Sequence, residues 1–145
     1  MGQCFTTTIE ETDPVAFAEH GALFRAMSQE WESGAETHGR KRFNGTTAVY
    51  VFCSKRVPAV LYGDGKGFRA TFLAPDKEDD YVHSTEPSYW IYFAVCHGKR
   101  FGPSGQPSRV ARALGYRVEP SEEQPILRRP EDILTYDPPG RGRGR

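Results

Sequence analysis

The sequence predicts an α+β domain: an N-terminal helix packed on a four- to five-stranded, mainly antiparallel sheet, then a short C-terminal helix and a disordered tail rich in Pro, Arg and Gly. Three observations predict it. Phe17, Phe24 and Trp31 recur every seven residues near the start. Runs rich in β-branched and aromatic residues, separated by glycine-bearing turns, fill the middle. Prolines at 120, 125, 130, 138 and 139 then forbid long regular structure at the end. With 145 residues, one domain is expected, long enough to bury a core without a metal or a disulfide scaffold. The expected boundaries are a flexible terminus at 1–12, the domain at 13–119 and an extended segment at 120–145.

The first element is a helix over Asp13–Ser33. Asp13 is a suitable cap, and Pro14 suits the first turn, where no N–H is needed. Ala16, Leu23 and Met27 join the aromatic stripe, Glu19, Arg25, Gln29, Glu30 and Glu32 are left for water, and Gly34 ends the helix. Residues 35–45 read as a loop, and Thr46–Ser54 has strand composition. Val57–Tyr62 and Gly67–Leu73 flank Gly63-Asp64-Gly65-Lys66 and read as a hairpin, with Pro58 at its start or at an edge. Asp76–Asp80 is an acidic loop, and Tyr81–Thr85 a short strand. Tyr89–His97 is the most apolar run and reads as a strand covered on both faces, or one that leaves a face of rings open. Ser108–Leu114 is a short helix stopped by Gly115, Tyr116–Val118 returns as a strand, and Pro130–Tyr136 forms a helical turn or two.

Charge is balanced overall, with 19 basic and 19 acidic side chains, but segregated along the chain. Residues 1–39 hold seven acids against Arg25 alone, whereas residues 40–74 hold seven bases against Asp64 alone. Residues 75–87 are acidic again, and residues 88–118 carry five bases and no acid. Such blocks either neutralise one another within the fold or present the basic blocks to a polyanion. The second possibility defines the main candidate site. Arg40, Lys41, Arg42, Lys55, Arg56, Lys99 and Arg100 would meet phosphates while Tyr50, Trp90 or Tyr92 stack on bases, as single-stranded nucleic acid is held without sequence readout. Arg141, Arg143 and Arg145 in the terminal GRGRGR extend that set. This stretch resembles the low-complexity arginine–glycine tails of RNA-binding proteins, which would make RNA the partner.

Two further readings compete. Met1-Gly2-Gln3-Cys4-Phe5-Thr6 fits the pattern for myristoylation at Gly2, with Cys4 open to palmitoylation; the chain would then be a regulator recruited to a membrane and to a protein partner. Alternatively, a helix preceding an antiparallel sheet resembles small metal-free ribonucleases. That resemblance would make His83 and His97 the acid–base pair and Arg100 a neutraliser of the phosphorane.

Much else is excluded. No apolar run is long enough to cross a membrane, and the start lacks the basic and apolar regions of a signal peptide. Three cysteines are few for a disulfide scaffold and favour a reducing, cytoplasmic setting, peripheral to a membrane if Gly2 is acylated. No C-x-x-C or H-E-x-x-H spacing occurs, so a metal site would need Cys53, Cys96 and histidines from separate strands; none is expected, nor any cofactor. P-loop, dinucleotide, nucleophile-elbow and deaminase signatures are also missing. The expectation is a non-enzymatic accessory protein.

Overall fold

The computed structural model describes residues 4–34, 38–77, 88–100 and 107–137. It is α+β, but its first half is all strand. Strands β1 (Cys4–Ala18), β2 (Gly21–Ser33), β3 (Arg42–Cys53), β4 (Ala59–Gly63), β5 (Phe68–Phe72) and β6 (Ile126–Leu127) pair antiparallel in sequence order. Helices α1 (Ser88–His97) and α2 (Pro107–Ala113) follow β5, and short 3-10 segments lie at Pro75–Lys77 and Pro130–Thr135.

The N-terminal helix expected over 13–33 is therefore corrected to a long hairpin. Pro14 sits in an edge strand, beside a register shift between Pro14 and Ala16, where a missing N–H breaks no ladder. The chain turns at Glu19–His20, and Gly21 allows the turn to close. A Cβ there would stand 2.8 Å from both the Cys53 carbonyl oxygen and the Ser54 Cβ. Residues 4–12, expected to be flexible, are part of β1.

Tyr89–His97 is corrected in the opposite sense, from strand to helix. Ser88, Ile91, Tyr92 and Phe93 are buried on α1, which packs on β1, β3 and β4. A short run that is apolar all round satisfies either geometry, and here Gly98 in the left-handed region (φ 62°) ends it as a helix. The predicted strand over 46–54, the hairpin at 57–73, the helix near 108–114 and the turn at 130–136 all have counterparts. Tyr116–Val118 is irregular rather than a strand, and the proline-rich segment contributes β6.

The sheet buries both faces, which explains the thin alternation in its sequence. Ala26, Val49, Val51 and Val60 face α1, α2 and Tyr116 in one core. Leu23, Phe52, Ala59, Leu61, Ala70 and Phe72 face Leu127 and Ile133 of the C-terminal segment in the other. Neighbours along β3 and β4 alternate strictly between the two, as a period of two requires.

Asp76 ties the segment after α2 to the sheet. Its buried carboxylate accepts from the Val118 N–H at 3.2 Å and from Lys77 Nζ at 2.7 Å, and Lys77 also donates to the Val118 carbonyl. Burial alone would raise this carboxyl; the hydrogen bonds from Lys77 and Val118 outweigh it and hold the group below the usual carboxylate range.

Candidate functional site

Four segments meet at one end of the sheet around an open cleft of about 310 Å³, lined by Glu19, His20, Cys53, Ser54, Lys55, Cys96, His97 and Tyr116. The β1–β2 turn supplies Glu19 and His20, and the end of β3 supplies Cys53 to Lys55. The last turn of α1 supplies Cys96 and His97. Tyr116 arrives from the stretch after α2, released by Gly115 at φ 102°.

Cys53 and Cys96 form a disulfide across the floor of this site, with Cα atoms 5.5 Å apart. Bonded to each other, they are not free to ligate a metal or to act as nucleophiles. Three cysteines by themselves favour a reducing setting; the pairing of two removes that ground. The bond also pins the β3–β4 turn to the C-terminal end of α1. Ser54 shapes the turn itself, its hydroxyl accepting from the Arg56 N–H at 3.1 Å and the Val57 N–H at 3.0 Å. Lys55 and Arg56 are thereby turned outward and exposed.

Behind the cleft runs a chain of hydrogen bonds whose direction can be worked out. Tyr92 Oη lies 3.0 Å from the Ser54 carbonyl and 3.2 Å from the Ser54 N–H, so it donates to the first and accepts from the second. Its one proton is then spent, and Tyr116 Oη, 2.7 Å away, must donate to it. Tyr116 can therefore only accept from His97 Nε2, at 2.8 Å. His97 carries its proton on Nε2, and Nδ1 is the nitrogen left to gain one. Burial, and then the charges of Lys55 and Lys99, hold this imidazole below its ordinary pKa. Burial likewise pushes the Tyr116 phenol up.

The predicted nucleic-acid residues separate into two groups. Lys55, Arg56, Lys99 and Arg100 gather at the cleft end, and Trp90 is exposed on α1, where seven residues before His97 keeps it on the same helical face. Arg40, Lys41 and Arg42 lie at the far end of β3, a strand of 12 residues and so about 40 Å away at ~3.3 Å per residue. Tyr92 is a correction: it is fully enclosed, with its hydroxyl bound as above, and offers no ring face to a base. Tyr50 points to the opposite side of the sheet, edge-on to Phe68 with ring centroids 5.5 Å apart. His83, Gly2, Arg141, Arg143 and Arg145 lie outside the described residues, and Cys4 opens β1.

Glu19, Ser54 and Tyr116 line the cleft without standing out as chemistry in the sequence, and His20 does so only as one of the histidines. They lie at turns and at the end of an irregular stretch, and only the hairpin and the disulfide bring them together. No family model, curated protein or solved structure matches this chain. Among the described residues, no helix is long and apolar enough to cross a membrane.

Proposed function

We propose that the chain is a small non-enzymatic RNA-binding protein that takes the phosphate backbone at the cleft end of its sheet. Lys55, Lys99 and Arg100 would hold phosphates, with Arg56 and Trp90 at the margin. One observation carries this reading: Lys55 and Lys99 flank a neutral His97 at an open cleft, and among the described residues neither lysine is ion-paired. Both cations disfavour a further positive charge on His97 in the free protein. A bound phosphate offsets their charge and releases condensed counterions, so binding is favourable and falls steeply with salt.

The test is a titration of labelled single-stranded RNA at several salt concentrations, followed on a gel for an hour. Replacing Lys55 and Lys99 with Ala removes two phosphate contacts and should reduce the salt slope by about 1.4, at ~0.7 per contact for a single strand. An unchanged slope rejects the assignment.

A second reading has its own observation behind it, since Glu19, His20 and His97 share the cleft with Lys55. A metal-free ribonuclease needs such a set, with an imidazole to accept the 2′-hydroxyl proton and a cation near the phosphate. The same gel separates the two readings. Intact RNA supports the binder, and breakage that His97→Ala abolishes supports the enzyme.

A further inference from the structure

We propose that Phe17 is a stacking platform for an unpaired nucleobase, so that the RNA held at the cleft is single-stranded; this rests on the RNA-binding reading above. Phe17 is the most exposed large apolar residue described, at 72%. Its position relative to the cleft follows from the strand register. Phe17 pairs with Ala22, and Ala22 pairs with Cys53. Directly opposed residues of antiparallel strands project to the same face, so all three side chains share one face of the sheet. That face is the one bearing α1, because Cys53 packs against the α1 core and bonds to Cys96, whereas the adjacent pair Leu23–Phe52 belongs to the other core. At ~4.8 Å per strand, Phe17 stands about 10 Å from Cys53 in the cleft floor, on the same side as His97.

Phe17 and the cleft thus share one face of the sheet, and a single-stranded polynucleotide has both phosphates for the cations and free base faces for the ring. Base-on-ring stacking with adjacent cations is how such strands are gripped regardless of sequence. A duplex hides those faces and would gain nothing from the ring.

A second copy of the chain is the competing occupant, because β1 is an edge strand with unpaired backbone groups. Its features oppose that pairing. Glu10, Glu11 and Asp13 are exposed along the strand, Pro14 removes a donor, and register shifts break the ladder at Ile9–Glu11 and Pro14–Ala16. These are the devices by which edge strands avoid self-association.

The experiment compares three probes, a twelve-nucleotide single-stranded oligouridylate, a duplex RNA of the same length and inorganic polyphosphate, on the full chain and its variants. For the single strand, Phe17→Ala should weaken binding about tenfold, and Phe17→Trp should preserve or tighten it. Polyphosphate affinity should not respond to Phe17→Ala, and the duplex should bind more weakly than the single strand in the parent protein. Equal losses for oligouridylate and polyphosphate would show that Phe17 acts through the fold and overturn the proposal. So would a dimer in the parent that Phe17→Ala converts to a monomer. If Phe17→Ala has no effect while Lys55→Ala with Lys99→Ala still weakens binding, the platform is rejected and the cationic reading stands. If neither variant changes anything, both fall.

Discussion

The two ends of β3 carry similar ingredients and use them differently. At the far end, Arg42 is bound to the buried carboxylate of Glu32, and Trp31 packs on Phe43 with ring centroids 5.0 Å apart. Arg42 is thereby neutralised within the arm formed by β1, β2 and β3, and Trp31 is packed on Phe43, whose own ring stays exposed. At the cleft end, Lys55 and Lys99 crowd a histidine, and Phe17 and Trp90 turn rings to solvent. A basic block next to aromatics is therefore ambiguous in a sequence. What separates a neutralised surface from a binding surface is whether the acids of the neighbouring strand fall in register with the bases. Glu32 pairs directly with Arg42 across the β2–β3 ladder, and no such register serves Lys55, which lies past the end of β3.

The largest expected effect tests what builds the cleft end. The disulfide closes 43 residues of chain, and replacing Cys53 and Cys96 with Ser should cost about 4 kcal/mol of stability by the loop-entropy relation. Denaturant titration of the parent and the double variant measures it. A loss under about 1 kcal/mol would show that Tyr92, which grips both backbone groups of Ser54, already holds the turn to α1.

Next in size is Asp76, which anchors the stretch leading from α2 past Tyr116. Asp76→Ala strands the Val118 N–H and should cost about 2 kcal/mol near neutral pH. Its folded-state pKa is depressed, so its contribution is fully present above the unfolded value near ~4 and is lost as pH falls through the lower folded value. The stability gap between parent and variant should therefore stay constant from neutral pH to about pH 4 and close below it. A gap that narrows already between pH 7 and 5 would assign the effect to another group.

A smaller effect concerns His97. The groups around it are Glu19, His20, Lys55, Lys99 and Tyr116, and burial with the two lysine charges keeps it neutral in the free protein. Its folded pKa lies below the unfolded value of about 6.5, so charging it disfavours the fold as pH drops beneath that value. A bound phosphate reverses this preference, and protonation at Nδ1 leaves the Nε2–Tyr116 bond in place. RNA affinity should thus rise several-fold from pH 7.5 to 5.5, at constant salt, and His97→Asn should flatten that rise. An equal rise in the variant would place the titrating group elsewhere.

The fold class, the β4–β5 hairpin and α2 were legible because local chemistry decides them: Gly63 to Gly67 makes a turn, and Gly115 stops a helix. The first hairpin was not, because Asp13-Pro14 is as good a helix start as it is an edge-strand kink. A seven-residue aromatic spacing is likewise satisfied by a helix stripe, and in the structure it is split between β1 and β2. The sequence of α1 is compatible with a strand as well as a helix, because a run apolar on every side carries no period to read. Of the site, the lysines and His97 stood out as charge and chemistry. Glu19 did not, because its place in the cleft depends on a turn that brings residue 22 opposite residue 53.

The smallest expected effect is the sharpest test of the comparison. Arg40, Lys41 and Arg42 form the densest basic cluster in the sequence, and by charge alone their loss should remove about three phosphate contacts. The structure sets them at the opposite end of β3 from Lys55, with Arg42 engaged by Glu32. A strand seated at the cleft would have to cover some 40 Å to reach them, more than a short oligonucleotide spans. Replacing all three with Ala should change the affinity for a six-nucleotide RNA by less than about twofold and leave its salt slope as it was, while Lys55→Ala with Lys99→Ala lowers both. The register of Glu32 with Arg42 then explains why the richer basic block is the quieter one. Should the triple variant lose more slope than the double, the binding surface belongs to the arm, and the crowding of cations around His97 has another cause.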